Sequence, residues 1–169
     1  MLRYVSAEQL LAEPSAHRYL HVLILTALQD GASRLELRYT LDGVVPYYRL
    51  EERDWELAPP PPLVAEQLKE TVRQVSRLVT PERPDTTVLV GPPEGRYEPL
   101  QAGWLTYELQ GRWLDLRVYI DPREPFGVMR FDIEGASEFS SAAQAALRDY
   151  AEQLAALQDS ISAPEETLP

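Results

Sequence analysis

A chain of 169 residues with 44% hydrophobic and 25% charged residues has the length and composition of one soluble globular domain. Its net charge of −11 sets it against nucleic acid, whose phosphates it repels, and equally against an anionic membrane surface. The absence of cysteine excludes disulfides, a thiol nucleophile and zinc–thiolate chemistry, and fits a cytoplasmic protein.

The first residues, MLRYVSAEQLLAEP, lack the apolar core of a signal peptide. The longest apolar run, 20–25, is interrupted by His21 and is too short to span a bilayer, so no membrane insertion is expected. Ser6 followed three positions later by Gln9 reads as a capping box for a short helix that stops before Pro14. A second helix, capped by Ser15, is expected to run through Gln29 and end at Asp30-Gly31. Leu20, Leu23, Ile24, Ala27 and Leu28 form its buried stripe; Val22 and Leu25 extend it, so the helix should lie well covered across a sheet.

Residues 34–41 alternate as a strand, with Leu35, Leu37, Tyr39 and Leu41 toward the core. Asp42-Gly43 is a hairpin turn signal before a partner strand, in which Pro46 marks an edge or a bulge. Glu51, Glu52, Asp54 and Glu56 read as a solvated loop. Pro59 to Pro62 reads either as a stiff lead into the next helix or as a ligand for an aromatic groove. That helix, expected over 63–79, places Val64, Leu68, Val72, Val75 and Val79 on one side. A short strand over 86–90 and a glycine-containing loop over 91–95 follow; the loop lacks GK[ST] and is not expected to cradle phosphate.

The stretch 101–134 organises the chain as three antiparallel strands. Leu105, Tyr107 and Leu109 alternate up to a Gln110-Gly111 turn; Leu114, Leu116, Val118 and Ile120 continue; Met129, Phe131 and Ile133 close the set after a loop with Pro122 and Gly127. One face is apolar and must be covered by helices, and the other bears Trp113, Asp115, Arg117, Tyr119, Arg130 and Asp132. The fold class is therefore α+β: an antiparallel sheet of five to six strands with helices on one face over 1–135. A C-terminal amphipathic helix over 136–161 and an acidic, disordered tail over 162–169 follow. In the last helix Ala143, Leu147, Tyr150, Leu154, Leu157 and Ile161 follow a 4-3-4-3-4 spacing. This seam either docks on the parent domain or pairs with a second copy or a partner helix.

No catalytic constellation stands out, and no enzyme activity is expected. His17 and His21 share a helix face without an HExxH pattern, so no metal site is expected and the pair reads as solvated or at the rim. There is no GxSxG and no GxxxxGK[ST], and no pair of carboxylates is marked out for acid–base work. No cofactor is expected.

The runs PSAHRYLHVLILTALQDGASRLEL, RYTLDGVV and LQAGWLTYELQGRWLDLRVYIDPREPFGVMRFDI together resemble the N-terminal domain of type II secretion and type IV pilus assembly ATPases. In that family an apolar helix ends in a GASD-type turn, here Gly31-Ala32-Ser33. An RYRIDG-like strand follows, here 38–43, then a QDGR-like turn (101–103), a DLRV core (115–118) and a closing arginine, here Arg130-Phe131. The resemblance implies a PAS-like α+β domain that, in the family, precedes a motor domain and packs on a neighbouring motor. It also implies that Arg38, Arg117 and Arg130 occupy positions from which family arginines approach nucleotide. Thr40 replaces the family's second arginine, and Arg34 and Glu36 replace its aspartate and histidine. Arg117 opposite Asp132 or Asp115 also reads as a cross-strand ion pair.

The expectation is a stand-alone, divergent relative without the motor: a non-catalytic interaction or regulatory module, its partner a protein such as a secretion or pilus ATPase. Two surfaces are expected to carry contacts. One is the sheet face with Arg38, Asp115, Arg117, Arg130 and Asp132. The other is the helix seam with Ala143, Leu147, Tyr150, Leu154 and Leu157, which also offers a homodimer contact. The alternative is a PAS-like small-molecule sensor, requiring an apolar cavity lined by residues such as Tyr39, Tyr107 and Leu116.

Overall fold

A computed structural model of the chain describes residues 1–79, 100–123 and 126–162. The strand expected over 86–90, the loop over 91–95 and the tail from 163 lie outside the described residues.

The helices begin and end for local reasons. After β1 (Leu2–Tyr4), helix α1 (Ala7–Ala12) starts at Ser6, whose hydroxyl accepts the Gln9 N–H at 3.2 Å. Helix α2 (Ser15–Asp30) has Pro14, not Ser15, at its cap position; Ser15 already belongs to the first turn. Its end matches expectation. Gly31 is left-handed (φ 71°), and the Ala32 N–H reaches back to the Ala27 carbonyl at 2.9 Å, closing a Schellman turn.

Strands β2 (Arg34–Thr40) and β3 (Gly43–Leu50) form the expected hairpin, with Leu41 and Asp42 as its two turn residues. Leu41 is therefore 79% exposed instead of facing the core. The charged segment expected as a loop is a second hairpin: Glu51 and Glu52 turn with φ of 47° and 68°, and β4 (Arg53–Glu56) pairs back on β3. This makes β3 an interior strand. Pro46 is tolerated there because the β4 ladder ends at Tyr47–Glu56, and its carbonyl takes the Leu57 N–H at 2.9 Å.

Helix α3 (Pro62–Val75) stops four residues before its expected end. Val64, Leu68, Val72 and Val75 are buried as expected, but the next residues form β5 (Arg77–Val79), with Val79 71% exposed. β5 pairs with the start of β6 (Gln101–Leu109). Gly103 makes this pairing possible: a Cβ there would lie 1.8 Å from the Arg77 carbonyl oxygen. Strands β7 (Arg112–Asp121) and β8 (Val128–Asp132) complete the three-strand unit expected from the sequence. A 3-10 turn (Ala136–Glu138) leads into α4 (Ser140–Ser162).

The fold is α+β, but the sheet is larger than expected and mixed. Among the described residues its eight strands run β1-β6-β7-β8-β2-β3-β4, with β5 also on β6. β1 is parallel to β6 and the other pairings are antiparallel. β1 and β5 share the outer edge of β6, at Tyr107–Leu109 and at Ala102–Trp104 respectively. One sheet face, with Leu35, Leu37, Leu105, Leu116, Met129 and Phe131, joins buried residues of α1, α2, α3 and α4 in a single core. The alternate residues of the long strands are exposed or half-buried, and no described helix covers them.

His21 corrects the reading of a solvated histidine pair. It is fully buried between β1, β6 and α1: its Nε2 lies 3.0 Å from the Tyr107 hydroxyl and its Nδ1 3.2 Å from a Glu13 carboxylate oxygen. The Tyr107 and Tyr4 rings stand edge-on to the imidazole. From Tyr4 the network continues to α4, since its hydroxyl donates to Asp149 at 2.8 Å and the Ala7 N–H donates to the same carboxylate oxygen.

Burial pushes the Tyr19 and Tyr39 hydroxyls up to about 12 from the ordinary 10.0, and Tyr107 well above 10.0. A folded-state value above the unfolded one leaves stability intact below about pH 10 and removes it as pH rises toward the folded values. Phenolate absorbance and loss of far-ultraviolet circular dichroism are thus expected to rise together above pH 10. Complete tyrosine ionisation with the structure intact would contradict this.

Candidate protein-interaction face

Register decides which side chains of the uncovered sheet face meet. Arg117 stands opposite Asp132 and Trp104, Arg130 opposite Tyr119 and Glu36, and Arg34 opposite Asp132 and Arg49. An alternating chain of charges crosses β8, β2, β3 and β4. Arg130 meets Asp132 at 3.2 Å, Asp132 meets Arg34 at 3.5 Å, and Arg34 meets Glu36 at 3.5 Å. Glu36 and Asp54 each lie 2.8 Å from Arg38, and Asp54 also meets Arg49 at 2.9 Å. Hydrogen bonds from Arg49 and Arg38 hold the Asp54 carboxyl below its ordinary range. Partial burial works against the Arg38 charge, but its bonds to Asp54 and Glu36 prevail and raise its pKa. Individual pairs at this exposure contribute little to stability; their combined effect is to fix the side chains in place.

Aromatic rings order the same guanidiniums. Arg38 lies 4.1 Å from the Tyr47 ring centroid and Arg130 4.5 Å from that of Tyr119. Arg117 lies 5.3 Å from Trp104 and 5.8 Å from Tyr119. The expected ion pair of Arg117 is not formed. Asp132 is occupied by Arg34 and Arg130, and Asp115 accepts the Thr106 hydroxyl at 2.7 Å.

All five residues expected on this face, Arg38, Asp115, Arg117, Arg130 and Asp132, lie on it. The sequence reading did not choose Trp104, Trp113, Tyr47, Arg34, Arg49 or Asp54 as site residues. Strand parity was the available signal, because Trp104 and Trp113 stand out of phase with the buried Leu105 and Leu114. Trp104 is 48% exposed and Trp113 58%.

The second expected surface divides. Ala143 is buried, and Leu147 and Tyr150 pack against the core where α4 crosses α1 and α2. From Ala151 to the helix end every residue is exposed, with Ile161 at 83%. A cleft of about 450 Å³ lies between α3 and the β2–β3 turn, lined by Tyr39, Glu66, Lys69, Glu70, Arg73 and Arg123 among others. Tyr107 and Leu116 are packed in the core and do not reach it.

Among the described residues no helix is long and apolar enough to cross a membrane. Neither the protein-family models nor the curated proteins compared with the chain give a match.

Proposed function

We propose that this chain is a non-catalytic protein-interaction module whose uncovered sheet face, ordered by the Arg130-to-Arg49 charge chain and the arginine–aromatic stacks, receives a protein partner. The single observation that carries the reading is the contrast between the two faces. The apolar face is saturated by four helices, whereas the polar face holds a preordered array and two exposed indoles. Preordering lowers the entropy cost of association, and tryptophan and arginine are the side chains that most often dominate interface energy.

Within this reading the partner is a component of a type II secretion or type IV pilus machine, in the cytoplasm. The resemblance of the three sequence runs supports that assignment. So does the shared placement of Arg38, Arg117 and Arg130, the three arginines the resemblance singles out. A sheet with helices on one face fits the implied PAS-like domain. The sensor alternative has the cleft beside Tyr39 as its support, but that cleft is lined by charged side chains instead of the apolar wall a sensor needs. Leu154, Leu157 and Ile161 favour a separate homodimer contact through the free half of α4.

Affinity capture from native lysate, comparing wild type with Arg38→Ala/Arg117→Ala and with Leu157→Asp, tests the proposal. A secretion or pilus motor retained by Leu157→Asp and lost from the double variant is the expected result. The reverse pattern moves the contact to α4, and capture of no such component removes the machine assignment.

A further inference from the structure

We infer that Arg117, framed by Trp104 and Tyr119 on the face that also bears Trp113, is the receptor for a carboxylate on an acidic, partly apolar segment of a protein partner. The inference rests on the proposal that the uncovered face is the interaction surface, and it names the chemistry of what binds there.

The argument starts from charge. Arg34, Arg38, Arg49 and Arg130 each have a carboxylate within 3.5 Å. Arg117 has neither ion pair nor hydrogen bond among the described residues, although it is exposed on the same face. The carboxylate opposite it on β8 and the one two positions before it on β7 are engaged elsewhere: Asp132 by two arginines, Asp115 by Thr106. A guanidinium carries five donors in a planar fork suited to a carboxylate. The flanking rings restrict this fork, so little further order is lost when an acceptor arrives.

The surroundings narrow the occupant. Trp113 lies four positions along β7 from Arg117, about 13 Å at the rise of a strand, and opposite Glu108. Trp104 adjoins Arg117 across the β6–β7 pair. One exposed indole beside the cation and a second further along the strand call for apolar side chains around the acid. A nucleic-acid strand is disfavoured, because Arg34, Arg38, Arg49 and Arg130 already hold carboxylates and offer no run of free cations to successive phosphates, whereas one carboxylate needs one cation. The complement is a protein segment with an isolated Asp or Glu beside an aromatic or aliphatic residue.

Selection of a phage-displayed random-peptide library on the full chain tests this. Peptides enriched on wild type are expected to carry Asp or Glu beside an apolar residue. Synthetic copies should lose binding about tenfold when that acid is changed to its amide, and about tenfold on Arg117→Gln. Trp104→Ala should also weaken them, with the melting temperature of each variant unchanged because both side chains are exposed. Enriched peptides without an acid, binding indifferent to Arg117→Gln, tighter binding of oligothymidine than of any peptide, or no enrichment at all would each overturn the inference. Peptides that bind this face without an acid leave the interaction proposal standing. If none bind, and lysate capture is also indifferent to Arg38→Ala/Arg117→Ala, the proposal fails as well.

Discussion

His21→Ala is expected to destabilise the protein by about 3–5 kcal/mol, because it removes a buried ring and strands its partners. The bonding pattern closes with Nδ1 protonated and donating to Glu13, and Nε2 accepting the Tyr107 proton. Burial raises the Tyr107 pKa, which keeps that proton in place. Loss of the imidazole leaves the Tyr107 hydroxyl without its acceptor and opens a cavity where α1, α2, β1 and β6 meet. Tyr107→Phe keeps the volume and removes one bond, so it should cost less, about 1–3 kcal/mol, through the unsatisfied nitrogen. Chemical denaturation of the three proteins checks the order. Equal stability of His21→Ala and wild type would show that the ring carries little of the packing.

Phe131→Ala is expected to have an effect of similar size, about 3–5 kcal/mol. Phe131 is fully buried on β8, a strand paired on both sides, and its register neighbours Val118 and Leu35 are also fully buried. Backbone pairing on both flanks limits how far the site can collapse, so most of the cavity should persist. Trp113→Ala provides the contrast: it removes a larger ring from the open face and should change stability by no more than about 0.5 kcal/mol. Thermal and urea unfolding of both variants would separate the two faces of one sheet. A Trp113 variant as damaged as Phe131→Ala would mean that the polar face is part of the folding core and not a free surface.

The long elements were legible because their signals are local. Period-two alternation fixes the faces of β6, β7 and β8, Ser6 fixes the start of α1, and Gly31 the end of α2. What was missed depends on partners distant in sequence or on unusual turns. β4 follows two glutamates at positive φ, where a hairpin ordinarily shows Asn-Gly or Asp-Gly, so nothing local announced it. β5 looks like the last turn of α3 until Gly103 is seen to admit the Arg77 carbonyl. His21 looked exposed because its neighbours come from α1, β1 and β6. The candidate face was half visible. Parity assigned its charges to one side, but the partner of each arginine follows from register and competition, and Asp132 chose Arg34 and Arg130 over Arg117.

The parallel pairing of β1 has a consequence for the order in which the chain folds. Arg3 aligns with Glu108, 105 positions further on, and Tyr4 is held by Asp149 from α4. Contacts separated so widely form late, since the loop they close is long and its entropy loss precedes any reward. During synthesis β1 must wait for β6, and its tyrosine for α4, so this strand is fastened only after partners 105 and 145 positions behind it have been made.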